Sequence, residues 1–294
     1  MPARKDPLHV AISIAAFISF YVVSDWILRR VMYWIGGEWT AVLTTVLAGA
    51  LVANILAMRI YENQSLSAAG LPWARDSAVN LAFGLLGGGG AACLVLAPAL
   101  LAGAAHLSPL AAPPSAGTLP FVMLLLAAGS VGEELLFRGF AFQILMRAAG
   151  PFAAILPIGV IFALMHGGNP NATWFGIANT AGFGILFGCA FWRTRDLWLP
   201  IGLHFGWNFT LPIFGVNVSG LKIGVTGHEM VWTAGTVWSG GAYGPEASVL
   251  TSVVLVALAV YIWKAPFRRQ PSPLTDPPAD SAVCEPSPHS PSSA

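Results

Sequence analysis

The stretch SVGEELLFRGFAFQILM, residues 130–146, places Glu133, Glu134 and Arg138 within an otherwise apolar run. A charged side chain near the middle of a membrane helix costs at least ~2.5–3.5 kcal/mol on insertion scales. Three charges within six residues therefore require either a function or compensating partners. Two later apolar runs each carry a histidine, and these histidines are the natural partners.

The composition of the chain is that of an integral membrane protein. Of its 294 residues, 56% are hydrophobic and only 9% are charged, with a mean hydropathy of +0.70, whereas an ordinary soluble domain has about 25% charged residues. At roughly 20 residues per crossing, this length accommodates about seven or eight helices in one bundle and leaves no room for a second domain. The net charge of +1 and the lack of a basic patch exclude a nucleic-acid partner.

Apolar runs separated by turn residues and charges predict an all-α, polytopic membrane bundle. The fourth run exceeds one crossing, so we expect it to tilt or to contain an interfacial helix. The run Gly-Gly-Gly-Gly at 87–90 favours close helix approach over a kink. The eight expected spans are 9–28, 40–58, 78–103, 118–146, 152–167, 174–191, 197–215 and 248–264.

The expected organisation has three parts. Residues 1–110 form about three N-terminal membrane helices, and residues 111–265 form a core that carries the polar motifs. Residues 266–294 are rich in Pro and Ser and poor in large apolar residues, which predicts a disordered cytoplasmic tail.

The distribution of Lys and Arg predicts a multi-pass protein of the plasma or inner membrane with both termini in the cytoplasm. Only Arg29, Arg30 and Lys222 then lie on the extracytoplasmic side. The first apolar run is predicted to be a retained signal anchor. The cytoplasmic cations are Arg4, Lys5, Arg59, Arg75, Arg147, Arg193, Arg195, Lys264, Arg268 and Arg269.

The two adjacent carboxylates, Glu133 and Glu134, can have different functions. On a helix, Glu134 and Arg138 are four residues apart and share a face, while Glu133 is rotated by about 100° from Glu134. Glu134 can therefore pair with Arg138, which lowers the cost of burying both charges. Glu133 can point into the bundle as a base or as a ligand.

The same spacing of four recurs in two further runs. Phe162 precedes His166 by one turn, so its ring can wall the pocket of the imidazole, and His204 and Asn208 project together from a third helix. Two carboxylates, two imidazoles and an amide suffice for a hydrolytic site with a base, a water holder and an oxyanion donor. The same groups could instead hold Zn²⁺ with one position open for water, although the soluble zinc-protease pattern HExxH is absent.

The ordered motifs Glu-Glu-x-x-x-Arg, Phe-x-x-x-His and His-x-x-x-Asn resemble those of the CPBP family of intramembrane proteases. That family includes type II CAAX prenyl endopeptidases and bacterial relatives linked to abortive infection and bacteriocin immunity. The resemblance covers roughly residues 120–215. The residues that carry it are Glu133, Glu134 and Arg138; Phe162 and His166; and His204 and Asn208.

The resemblance implies an all-helical fold of eight spans with a conical, water-filled cavity open to the cytosol and to lipid. It also implies an endopeptidase that cuts a membrane-associated peptide or protein, with or without a CAAX-like prenyl group. In that case Glu133 activates water, Glu134 lies beside it and is held by Arg138, and His166 positions the water or a metal.

By the same resemblance, His204 and Asn208 stabilise the oxyanion, and Glu133, His166 and His204 are the candidate ligands of a zinc ion. A metal-independent mechanism remains open. The family's prenylated substrates are not carried over as the physiological substrates of this chain, and the oligomeric state is not predicted.

Three alternatives without catalysis remain. The charges could pin helix packing, line an ion pathway in a transporter, or form a binding cavity in an immunity or scaffold protein. A transporter should show repeat symmetry between its halves, and the sequence shows none. One geometric condition also has to be met: His166 lies near the far end of its run, whereas His204 lies soon after Arg195, yet a shared pocket needs both at similar depth.

Overall fold

The computed structural model describes residues 6–276, without the side chains of 36–40 and 42–44. The chain is 73% helical, which confirms the all-α prediction, and the short strands β1 and β2 pair antiparallel. The elements are α1 Pro7–Ala57, α2 Arg75–Leu101, β1 Ala105–Pro109, α3 Thr118–Arg138, α4 Phe140–Ala149, α5 Pro151–Met165, α6 Trp174–Thr194, α7 Trp198–Ile213, β2 His228–Trp232, α8 Thr236–Ser239 and α9 Val249–Lys264.

The chain is a multi-pass membrane protein by the length and composition of its helices. The last two predicted crossings correspond to α7 and α9, which have 16 residues each. The predicted count of eight crossings is therefore not confirmed. Within residues 6–276, six helical segments are long and apolar enough to cross a membrane: Pro7–Ile35, Thr45–Glu62, Arg75–Leu101, Thr118–Ala149, Pro151–Gly168 and Trp174–Thr194.

Helix α1 doubles back on itself. A Cβ atom placed on Gly49 would lie 3.3 Å from the Tyr21 ring and 3.5 Å from the Asp25 nitrogen. On a straight helix, residues 21 and 49 would be about 42 Å apart at 1.5 Å per residue. The two arms of α1 therefore pack side by side and account for the first two candidate spans.

The long fourth run breaks at Gly139, between α3 and α4. A side chain at Gly139 would collide with the Leu135 carbonyl and the Asn54 side chain, at 2.2 and 2.3 Å. Because the break frees backbone groups in an apolar environment, they need other partners. Asn54 supplies them: its Nδ2 donates to the Leu135 carbonyl at 3.0 Å and its Oδ1 accepts from the Phe140 nitrogen at 2.8 Å.

Glycines bring α2 and α7 into close contact. A Cβ on Gly84 would lie 2.8 Å from the Gly202 Cα, and one on Gly88 would lie 2.0 Å from the Leu203 carbonyl oxygen. Close helix approach therefore explains this part of the glycine run, as the sequence favours. The contact fixes α7, which carries His204 and Asn208, against the bundle.

One end of the bundle, named the basic end, is formed by residues 58–75, 140–149, 193–198 and 264–276. The Leu197 nitrogen donates to the Gly70 carbonyl at 2.7 Å, and Gln143 Nε2 donates to the Ala69 carbonyl at 2.7 Å.

The opposite end, named the loop end, is formed by residues 102–117, 166–173 and 214–248. The Gly220 nitrogen donates to the Tyr243 carbonyl at 2.7 Å, and the Thr233 nitrogen donates to the Ala104 carbonyl at 2.9 Å. The β1–β2 pair lies at this end.

The beginning of the tail differs from the predicted disorder. The Gln270 nitrogen donates to the Thr194 carbonyl at 2.7 Å, and the Arg268 nitrogen donates to Asn80 Oδ1 at 2.9 Å. Leu274 is buried in one apolar cluster with residues of α1 and α4. Leu274, the ring contacts of Phe267 with Phe83 and Tyr261, and these hydrogen bonds therefore hold 266–276 on the basic end. Residues 277–294 lie outside the described residues.

Candidate active site

Helices α3, α5 and α7 bring Glu133, His166 and His204 together. The Oε2 atom of Glu133 lies 3.9 Å from Nε2 of His166 and 3.8 Å from Nε2 of His204. The His166 ring folds back along its own helix, where Nδ1 donates to the Phe162 carbonyl at 2.8 Å. This orientation lets two histidines at different distances from the basic end face one carboxylate oxygen.

Glu134 points away from Glu133 and is fully buried. Its Oε1 atom accepts hydrogen bonds from Arg138 Nη1 at 3.2 Å and from His204 Nδ1 at 2.9 Å. The expected pairing with Arg138 is therefore present, and a bond to His204 is added to it. Glu134 orients the second imidazole and balances the buried cation.

Arg138 is also fully buried, and several groups compensate its charge. Besides Glu134, its Nη2 atom donates to the Gly184 carbonyl of α6 at 2.7 Å. Its guanidinium carbon lies 4.8 Å from the centre of the Phe162 ring and 5.5 Å from that of Phe187. Aromatic faces attract a desolvated cation, so these contacts tie α3 to α5 and α6.

Aromatic rings enclose both imidazoles. The centre of the Phe162 ring lies 4.6 Å from that of His166 and 6.0 Å from that of His204. Phe187 stacks on His204 with centres 5.1 Å apart and an angle of 20° between the planes. Phe162 thus stands where the spacing predicts it, as a wall shared by the two rings.

A cavity of about 720 Å³ opens in front of these residues. Its polar lining includes Glu133, His166 and Asn208, and one side is formed by residues 218–224, named the wall segment. Its apolar lining includes Tyr21, Val46, Phe121, Leu125, Leu126 and Met165.

Glu246 is a buried acidic residue at the site that sequence reasoning missed. Its carboxylate accepts from the backbone nitrogen and the hydroxyl of Ser219, the latter at 3.0 Å, and from Trp207 Nε1 at 3.4 Å. It lines a small pocket together with His166, His204 and Asn208. The sequence predicts a long loop over 216–247, and its only signal for Glu246 is a carboxylate three residues before α9.

The donor types of Glu133, His166 and His204 suit zinc. Among the residues that the structure describes, no group of three or more His, Cys, Asp or Glu side chains is placed to hold a metal ion. Hydrogen bonds hold the Nδ1 atoms of both histidines, so their Nε2 atoms, which face Glu133, are the ones that a metal would use. Zinc binding stays a prediction, and no chemical step is assigned to a metal.

The helices and the buried acid–imidazole cluster define a polytopic membrane protein with a polar centre inside its bundle. Residues 115–210 match a family model described as type II CAAX prenyl endopeptidase Rce1-like. The match confirms the predicted resemblance for this third of the chain, which includes Glu133, His166, His204 and Asn208. A comparison with curated proteins finds no match.

Proposed function

We propose that the chain is an intramembrane endopeptidase that hydrolyses a peptide bond of a membrane-associated substrate with water activated by Glu133. One observation carries the proposal. Within the described residues, Glu133 Oε2 has no hydrogen-bond partner, is shielded from solvent, and faces the Nε2 atoms of two histidines at 3.8 and 3.9 Å.

These distances suit a bridging water molecule. They are too long for direct hydrogen bonds, whereas a water can contact both atoms at about 2.8 Å. Because His166 Nδ1 donates to the Phe162 carbonyl, its neutral Nε2 is an acceptor. A water that donates one hydrogen to Glu133 and one to His166 directs its oxygen lone pair into the cavity.

In this proposal His204 and Asn208 stabilise the oxyanion. His204 Nδ1 donates a hydrogen bond to Glu134, and Glu133 lies on the Nε2 side of the same ring. Flanked by two carboxylates, the ring can carry a second proton and donate it from Nε2. The Asn208 amide adds a neutral donor from one turn further along α7.

The proton balance of the reaction follows from these positions. Glu133 takes a proton as the water oxygen bonds to the carbonyl carbon, and the negative charge develops on the carbonyl oxygen. Glu133 then gives this proton to the leaving nitrogen as the C–N bond breaks. The products are a carboxylic acid and an amine, and Glu133 is again a carboxylate.

The apolar lining supports a substrate with an apolar segment beside the scissile bond. The cavity volume of about 720 Å³ falls in the range of cavities that bind small molecules or short peptide stretches. A lipid-modified peptide or a plain hydrophobic peptide meets this description, and we propose the membrane-associated peptide as the shared class.

The test uses purified full-length protein with a fluorogenic peptide library and a farnesylated CAAX peptide. Wild type should cleave at least one probe, and Glu133→Gln should lower the rate by at least about 100-fold because the general base is lost. Asp76→Asn is the control, because it removes an exposed carboxylate near the basic end, away from the cavity lining.

Equal rates for wild type and Glu133→Gln would refute the assignment. If Glu133→Gln lost cleavage but kept the biological effect of the chain, the cavity would act by binding. Metal content measured in the same preparation, with activity before and after a chelator, tests the metal-independent form of the mechanism.

A further inference from the structure

The cavity in front of Glu133 reaches one end of the bundle only. Its lining contains Asn169, Pro170 and the wall segment, all of which belong to the loop end. No lining residue comes from the segments that form the basic end, within the part of the chain that the structure describes. At that end, Asp196 and Asn80 are buried beneath the ordered start of the tail.

The two ends differ strongly in positive charge. Among residues 6–276, eight Lys and Arg residues lie at the basic end, and three lie at or near the opposite end. Cytoplasmic loops of membrane proteins carry the excess of Lys and Arg. The eight are Arg59, Arg75, Arg147, Arg193, Arg195, Lys264, Arg268 and Arg269, and the three are Arg29, Arg30 and Lys222.

We infer that the cavity opens on the face of the membrane away from the cytoplasm and receives the extracytoplasmic portion of a membrane-anchored peptide. The inference rests on the proposed function for the peptide, and on cavity position and charge distribution for the side. It differs from the cytosol-facing cavity that the family resemblance implies.

The orientation narrows the substrate class. A CAAX protein that is prenylated in the cytosol would meet the basic end, where no lining residue of the cavity lies. A peptide attached to a membrane helix or to a lipid of the outer leaflet would reach the wall segment directly. The scissile bond should therefore lie just outside the membrane or in the outer half of a span.

Single cysteines test the orientation without requiring activity. The background carries Ala at Cys93, Cys189 and Cys284. Gly224→Cys reports the accessibility of the wall segment, because a side chain there meets no atom within 4 Å. Asp76 is exposed, so Asp76→Cys reports the accessibility of the basic end without removing a cation. Exposed His228→Cys is a second position at the loop end in case Gly224→Cys fails to fold.

Spheroplasts of a bacterial host are treated with a membrane-impermeant maleimide before or after lysis. We expect Gly224→Cys and His228→Cys to be labelled in intact spheroplasts, and Asp76→Cys to be labelled only after lysis. Labelling of the loop-end cysteines only after lysis would overturn the inference, and so would labelling of Asp76→Cys in intact spheroplasts.

A charged, membrane-impermeant fluorogenic peptide supplies the second arm. Cleavage by intact spheroplasts is expected, and Glu133→Gln spheroplasts serve as the background. Cleavage only after lysis would overturn the orientation. If neither sample cleaved any probe while loop-end labelling held, the proposed protease activity would fail and the outward-facing cavity would stand.

Discussion

The Nδ1 atom of His204 lies 2.9 Å from Oε1 of Glu134, and neither side chain is exposed by more than 7%. This bond assigns the proton on Nδ1 and turns Nε2 toward Glu133. The two adjacent glutamates are thereby separated into a residue that orients an imidazole and a residue that faces the cavity.

Glu134→Gln should destabilise the fold, whereas Glu133→Gln should not. Removal of the Glu134 charge leaves Arg138 buried without its counter-charge, and breaking a buried ion pair typically costs about 3–5 kcal/mol. Thermal unfolding in detergent should show a clearly lower midpoint for Glu134→Gln and a near-wild-type midpoint for Glu133→Gln. Similar midpoints for the two variants would contradict the assignment of charge compensation to Glu134 and of a cavity-facing role to Glu133.

Asn208→Ala should lower kcat by about 100- to 1000-fold with little change in KM, since an oxyanion donor acts mainly in the transition state. The control is Thr210→Val on the same helix, whose hydroxyl donates to the Gly206 carbonyl at 2.7 Å and not into the cavity. Steady-state kinetics on a cleaved peptide probe measure both variants. A loss confined to KM would argue for substrate binding by the amide instead.

Glu246→Leu should raise KM by roughly tenfold, a loss of about 1.4 kcal/mol in binding, while kcat changes little. A leucine side chain accepts no hydrogen bond, so the nitrogen and the hydroxyl of Ser219 both lose their partner and the wall segment loses its anchor. Trypsin should then cut after exposed Lys222 faster than in wild type, which reports wall mobility independently of activity. Unchanged KM and unchanged trypsin cleavage would show that Glu246 does not position the wall.

Asn54→Leu should destabilise the protein because the break at Gly139 loses both of its hydrogen bonds to Asn54. The Phe140 nitrogen would lose its partner, and a buried orphan of this kind costs about 1–3 kcal/mol. The Leu135 carbonyl would keep its bond from the Gly139 nitrogen at 3.1 Å but lose the one from Asn54. Asn217→Ala is the control, since its amide serves one carbonyl in the loop end. Equal thermal midpoints for the two variants would mean that other groups form hydrogen bonds with the backbone at the break.

Asp196→Asn should weaken the dependence of stability on pH. Burial raises the pKa of Asp196 from 3.8 to about 6, so between these values the folded chain binds more protons than the unfolded chain. Stability therefore falls as pH rises through this window, by about 3 kcal/mol for two pKa units. Thermal midpoints between pH 4 and 7 should fall more in wild type than in the variant, and parallel slopes would contradict the assignment.

Much of the site can be predicted from the sequence because helical spacing is a local property. The intervals between Glu134 and Arg138, Phe162 and His166, and His204 and Asn208 fix which side chains share a face before any tertiary contact forms. Composition likewise fixes the membrane environment, since 9% charged residues cannot cover a soluble surface.

Other features depend on contacts between residues far apart in the chain. The doubling back of α1, the docking of Leu274 and the burial of Glu246 leave no periodic pattern that could reveal them.

The sequence by itself determined a helical membrane bundle and the residue types of its polar centre. Only the tertiary structure decided that Glu133 faces both imidazoles, that Glu134 serves His204, and that the cavity reaches the loop end. The physical reason is that helix periodicity sets directions around one axis. The rotation and depth of each helix relative to its neighbours are set by packing, such as the glycine contacts of α2 with α7.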